Sequence, residues 1–147
     1  MAHVPLTVTL RPFAAAADFP AMVALRNAIY PHNPTSEESA RFNWNVFDVL
    51  RYYRERVAAV DPQSGRVVGV ATFNHNPELF HPDKYECGSS VHPEFQRRGI
   101  GGQLWEWLRG RLAARGAIVA RAGVWENHPP ALAFAQHRGF GEKRRIW

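Results

Sequence analysis

Residues Val91 to Gly102 read Val-His-Pro-Glu-Phe-Gln-Arg-Arg-Gly-Ile-Gly-Gly. An apolar strand stops at His92-Pro93, a short basic loop follows, and a helix opens on glycines. The first backbone N–H groups of a helix have no intrahelical acceptor and point out along its axis. The helix dipole adds partial positive charge at that end. Glycine removes the Cβ that would keep a ligand from the backbone. Arg97 and Arg98 bring full positive charge. These residue types in this order suit a pyrophosphate. The segment lacks the Gly-Lys-Ser/Thr ending of a Walker loop and the Gly-x-Gly-x-x-Gly spacing of a dinucleotide fingerprint. The plain alternative is a glycine-softened helix start with surface arginines.

Other reactive types are sparse. Seven histidines show no paired or His-Glu-x-x-His spacing, and the one cysteine, Cys87, excludes an internal disulfide and a cysteine-based zinc site, so no metal is expected. Cys87 is read as a buried, inert thiol. His75 and His81 fall on a loop and are read as surface histidines near an acceptor entrance. His92 is read as a turn residue.

The elements around the loop follow from periodicity and punctuation. Leu6 to Arg11 alternates like a strand. Asp18 is expected to cap a helix starting at Phe19, with Pro20 in its first turn. Thr35 and Glu38 form a capping-box pattern for a second helix reaching about Asp48. Arg56–Val60 and Arg66–Phe73 flank Asp61-Pro62-Gln63-Ser64-Gly65, which predicts an antiparallel hairpin. Tyr85–Val91 is the next strand. A helix from Gly99 to about Ala114 places Ile100, Leu104, Trp107, Leu108 and Leu112 on one face. Trp105 falls out of phase with that face and is read as a candidate partner surface. Ile118–Val124 is a strand, Pro130–Arg138 a short helix closed by Gly139, and Phe140 onward a strand start. The order is β-α-α-β-β-β-α-β-α-β, a mixed α/β domain.

The chain has 147 residues, enough for one domain, and 46% hydrophobic residues, enough for a core. No apolar stretch is long enough for a membrane span, and the first residues do not read as a signal peptide, so a cytoplasmic location is expected. Formal net charge is +5. This favours anionic partners, although an arginine-rich coding bias explains it equally well, since Lys84 and Lys143 are the only lysines. Nucleic-acid binding rests on that charge alone and is not the expectation.

Two segments carry a family resemblance. Gln96, Gly99 and Gly101 resemble the Gln/Arg-x-x-Gly-x-Gly/Ala motif of the GCN5-related N-acetyltransferase (GNAT) superfamily, and His92-Pro93-Glu94-Phe95 resembles its lead-in. Asn127, Ala131-Leu132-Ala133-Phe134 and Gly139-Phe140 resemble its second motif at the expected distance. The resemblance implies one GNAT domain over residues 1–147. Its sheet would be mixed, mostly antiparallel and twisted, with one splayed parallel strand pair and about four helices. It implies acetyl-CoA as acyl donor in the splay between Tyr85–Val91 and Ile118–Val124. The pantetheine would pair with the backbone of Ser89, Ser90 and Val91, and the pyrophosphate would lie on Gln96, Arg97, Arg98, Gly99, Ile100, Gly101 and Gly102. Asn127 matches a pantetheine contact, and the Val91 N–H matches an oxyanion donor.

The implied reaction is direct attack of an amine, on a small molecule or a protein, upon the thioester. Two family positions depart from the pattern: a tyrosine that protonates the thiolate is Ala135 here, and a glutamate base is Ala122. Glu86 remains the candidate base. A catalytically weak CoA-binding module with a regulatory role is the alternative. Trp44, Phe47, Tyr52 and Tyr53 cluster around the second helix, where the family shapes its acceptor pocket, and an aromatic-lined pocket and core packing fit them equally well. The C-terminal strands are short or incomplete by the family pattern, and the layout is similar to the subgroup found as tandem domains, which implies association as a homodimer.

Overall fold

The computed structural model describes residues 4–123, 133 and 135–141. Its elements are β1 (Thr9–Pro12), α1 (Ala15–Ile29), α2 (Glu37–Val46), β2 (Arg54–Val60), β3 (Val67–Asn74), β4 (Lys84–Val91), α3 (Ile100–Ala114) and β5 (Val119–Arg121). Residues 135–137 are helical, and Gly139 follows with a φ of 83°. The strands form one sheet in the order β1-β2-β3-β4-β5. The first three pairings are antiparallel and β4–β5 is parallel. This is the mixed, mostly antiparallel α/β sheet expected of the GNAT fold.

The hairpin turn forms for the reason its residues predict. Asp61 accepts from the Gln63 N–H (3.0 Å) and the Ser64 hydroxyl (2.8 Å), and Gly65 takes a φ of 74° that only glycine adopts freely. Neighbouring residues on β2 assign the two sheet faces. Glu55 turns to Arg111 of α3, and Arg56 turns to Met22 of α1. With side chains alternating along a strand, α1 and α3 therefore cover opposite faces. On the α3 side, Ile100, Leu104, Leu108 and Leu112 are buried with Val57, Phe73 and Tyr85.

Three local expectations differ. α1 begins at Ala15, so Asp18 lies inside its first turn rather than capping it. Asp18 reaches back to the Ala14 N–H (2.7 Å) and takes Arg11 through two bonds (2.7 and 2.9 Å). Pro20 consequently sits beyond the first turn, where the helix forgoes one hydrogen bond. Ser36, not Thr35, caps α2, accepting from the Ser39 N–H (3.0 Å). Thr35 is held instead by Asn27, whose side chain bonds both its N–H and its C=O. β1 starts at Thr9 because the preceding residues bond elsewhere: Leu6 N–H to the Arg98 carbonyl and Val8 N–H to Gln103 Oε1.

Candidate active site

β4 and β5 pair only at Lys84↔Val119, Tyr85↔Ala120 and Glu86↔Arg121. Beyond Glu86, the β4 edge opposite β3 has no strand partner among the described residues. Which backbone groups face that edge follows from the register. Val91 lies opposite Gly69, and the His92 N–H bonds the Val68 carbonyl (2.9 Å). In an antiparallel ladder the bonded residues alternate. Ser90, Gly88 and Glu86 therefore turn their backbone groups to β3, and Val91, Ser89 and Cys87 turn theirs to the open edge. The Asp83 carbonyl, in the same phase, bonds the Ile118 N–H at the entry to β5.

A cleft of about 460 Å³ occupies the gap. One wall is Cys87–Val91, and the other includes Ala122, Gly123 and Ala135. Trp105 and Leu108 of α3 line it, as do Ile29 and Tyr30 at the end of α1. Burial raises the Tyr30 phenol above its ordinary pKa, so it stays protonated near neutrality.

The loop that enters α3 closes one end. Gly99 is the N-cap, with a φ of 83°. The Gln103 N–H makes the bond to the Gly99 carbonyl (3.2 Å), which leaves the N–H groups of Ile100, Gly101 and Gly102 without an intrahelical acceptor. Arg97 has a φ of 62°, a left-handed conformation unusual for a residue with a Cβ. Left-handed residues beside a helix start turn successive N–H groups inward and make an anion-binding concavity. Gln96, Arg97, Gly99, Ile100, Gly101 and Gly102 all line the cleft.

Two expected contacts fall differently. Arg98 is not among the cleft-lining residues: its Nε donates to the Val4 carbonyl (2.7 Å) and its guanidinium sits over Phe95. Ser90 lines the cleft, but its backbone groups belong to the β3 ladder, so Ser89 and Val91 supply the free edge. Asn127 lies outside the described residues, as does most of the second motif.

Glu86 shares the α1 face with Gly88 and Ser90, and its Oε1 accepts from the Asn76 amide (2.8 Å). Cys87, on the other face, packs against the core and also lines the cleft. Burial, helped by the Glu86 charge, pushes its thiol up to about 11. Trp105 is a cleft residue in edge contact with Phe140 (5.4 Å) rather than an outward surface. His75, read as a surface residue, is buried and stacked on Tyr85 (4.6 Å), with Nδ1 accepting the Tyr53 N–H (2.9 Å) and Nε2 bonded to the Pro82 carbonyl (3.0 Å). Tyr53 faces α3, away from Trp44. Gln103 gave no sequence signal, yet its side chain bonds Val8, Leu6 and Gly99 and so ties the N-terminal segment to the loop.

Among the described residues no cluster of three or more His, Cys, Asp or Glu is placed to hold a metal ion. No described helix is long and apolar enough to cross a membrane.

Residues 19–140 match the family model described as the acetyltransferase (GNAT) family. The chain belongs to that family. Solved structures agree on the fold. A GNAT superfamily phosphinothricin acetyltransferase from Sinorhizobium meliloti, in complex with AcCoA, is 25% identical with a TM-score of 0.72, over 91% of this chain and 75% of that one. An N-acetyltransferase from Staphylococcus aureus has 21% identity, TM-score 0.71 and coverage of 91% and 83%. An aminoglycoside antibiotic 6'-N-acetyltransferase from Acinetobacter baumannii has 15% identity, TM-score 0.70 and coverage of 96% and 95%. At those last two identities the likeness shows the GNAT fold. This GNAT chain is thus an acetyltransferase by family.

Proposed function

We propose that this chain transfers the acetyl group of acetyl-CoA to an amine of a small molecule or protein, by direct attack in a ternary complex. The observation that carries the reading is the free β4 edge, whose outward N–H and C=O groups lead into the glycine-opened start of α3. A backbone edge left without partners is costly unless something pairs with it. The outward C=O of Cys87, both outward groups of Ser89 and the Val91 N–H suit an extended pantetheine arm, which would pair as an added strand does. The N–H groups of Ile100, Gly101 and Gly102, with Arg97, suit the pyrophosphate.

Bound acetyl-CoA supplies a thioester carbonyl and a thiolate leaving group. The Val91 N–H is aimed at the cleft and stabilises the negative charge that develops on the carbonyl oxygen. The amine nitrogen bonds the carbonyl carbon, the C–S bond breaks with its electron pair leaving on sulfur, and the proton that the new amide nitrogen sheds passes through water to the CoA thiolate. The amine must first be neutral, and Glu86 is the candidate base for its proton. Asn76 fixes one of that carboxylate's oxygens. Ala122 and Ala135 line the cleft and bring no proton-transfer group to it.

Those two alanines favour a second reading, a CoA-binding module of weak activity. Thiol release from acetyl-CoA over a panel of amines separates the two. Amine-dependent release supports the transferase. Tight acetyl-CoA binding with no amine-dependent release supports the module.

A further inference from the structure

Arg54 and Arg56 lie two residues apart on β2 and so share the α1 face of the sheet. Trp44 of α2 packs against both, with guanidinium carbons 3.4 and 4.5 Å from a ring centroid. Neither has a carboxylate within ion-pair distance among the described residues. The acids close by are committed elsewhere: Glu55 turns to Arg111 on the opposite face, and Asp18 holds Arg11. Arg54 spends Nη1 on the Trp44 carbonyl (2.7 Å). Arg56 donates Nε to Thr72 Oγ1 (2.7 Å) and sets Nη1 against the Met22 sulfur (3.1 Å). Their remaining guanidinium N–H groups carry no hydrogen bond among the described residues.

Two like charges held together and partly out of water, without a counter-ion, are unfavourable. Burial, with repulsion from Arg54, brings Arg56 down to about 10, and burial lowers Arg54 as well. The Trp44 ring offsets part of this, and an anion would offset more.

The sheet register places this pair on the same face as Gly88, which borders the cleft. Arg56 is opposite Thr72, which is opposite Gly88, and Arg54 is opposite Asn74, which is opposite Glu86. Cross-strand partners share a face. Two strand spacings put the arginine positions about 10 Å from β4. Gly88 lines the cleft, and a Cβ there would meet nothing within 4 Å, so this face is open at Gly88.

We infer that Arg54 and Arg56 form an anion subsite for the acceptor, so that the amine acetylated here carries an oxyanion, a carboxylate or a phosphate, at its far end. The inference names the acceptor class and rests on the acetyltransferase reading. In it Thr72 and Asn74 line the path between the anion and the Glu86 end of the acceptor.

The test is calorimetric titration with glutarate, with inorganic phosphate and, as the uncharged match, with glutaramide. Wild-type protein is expected to bind glutarate or phosphate at least tenfold more tightly than glutaramide, and the preferred anion tells carboxylate from phosphate. Arg54→Gln and Arg56→Gln are each expected to lower that affinity at least fivefold while acetyl-CoA affinity stays within twofold. Should Arg56→Gln fail to fold, Arg54→Gln and the wild-type contrast still decide. No preference for either anion over glutaramide overturns the inference, as does anion affinity unchanged in Arg54→Gln. Failure of wild-type protein to bind acetyl-CoA in the same samples would instead overturn the transferase reading.

Discussion

The side-chain amide of Gln96 donates to the backbone carbonyl of Val91 at 3.1 Å. Of the two backbone groups that Val91 turns to the open edge, the carbonyl is therefore satisfied by Gln96, and the N–H has no acceptor among the described residues. Gln96 thus leaves a single donor at the end of β4, where the cleft begins to turn toward α3.

Proline at Val91 removes that donor without touching the β3 ladder. Val91→Pro is expected to stay folded and to lose roughly 100- to 1,000-fold in kcat, with acetyl-CoA binding largely kept. Ser90→Pro removes a ladder bond instead, and is expected to cost about 1–3 kcal/mol of stability. Steady-state kinetics and denaturant melts on the pair measure both. Equal kcat in Val91→Pro and wild type would remove Val91 as oxyanion donor.

At Gly99 the left-handed backbone, rather than crowding, limits substitution, since a Cβ there meets nothing within 4 Å. Gly99→Val is expected to strain the loop by about 1–2 kcal/mol and to weaken acetyl-CoA binding at least tenfold. Gly110→Ala, in the middle of α3 with open space at its Cβ, is the contrast. It should stabilise by about 0.5–1 kcal/mol and leave cofactor affinity alone. Calorimetric titration with acetyl-CoA and thermal melts read the two effects.

Glu86→Gln keeps an oxygen for the Asn76 amide and removes the proton acceptor. Turnover should fall and the acidic limb of the pH–rate profile should flatten. A profile that superimposes on wild type excludes Glu86 as the base.

Arg11, bonded to Asp18, holds the Asp18 carboxyl below its ordinary range. A carboxylate with a lowered folded-state pKa stabilises the fold fully above its unfolded value, near pH 4. That contribution is lost as pH falls through the lowered value. Asp18→Asn should destabilise by about 1–3 kcal/mol at pH 7, and the difference from wild type should shrink in urea melts run at progressively lower pH.

Local chemistry was legible in the sequence. The Asp61–Gly65 turn, the strands on either side of it and the glycine-opened helix at Gly99 each depend on neighbouring residues, and each sits where the pattern places it. The loop that leads into α3 was readable for the same reason. What escaped depends on residues distant in the chain. Asp18 looks like an N-cap until Arg11 is brought beside it. His75 looks like a loop histidine until Tyr85 stacks on it and Tyr53 bonds it. Arg98 looks like a ligand for phosphate until Val4 claims its guanidinium. The role of Ser89 against Ser90 turns on the phase of hydrogen bonding with β3, which composition cannot reveal. Arg54 and Arg56 are ordinary strand arginines by sequence, and only the three-dimensional arrangement, in which neither pairs with a carboxylate among the described residues, sets them apart.

The Gln103 tie has a consequence for synthesis on the ribosome. Val8 and Leu6 find their hydrogen-bond partner 95 and 97 residues further along. The earliest described stretch of the polypeptide must therefore wait, unanchored, until the start of α3 has left the exit tunnel. Contacts so remote in sequence form late and slowly. The loop at Gly99 gains its final bracing only then, so a nascent chain stalled before that point would hold most of its antiparallel strands and no finished cradle.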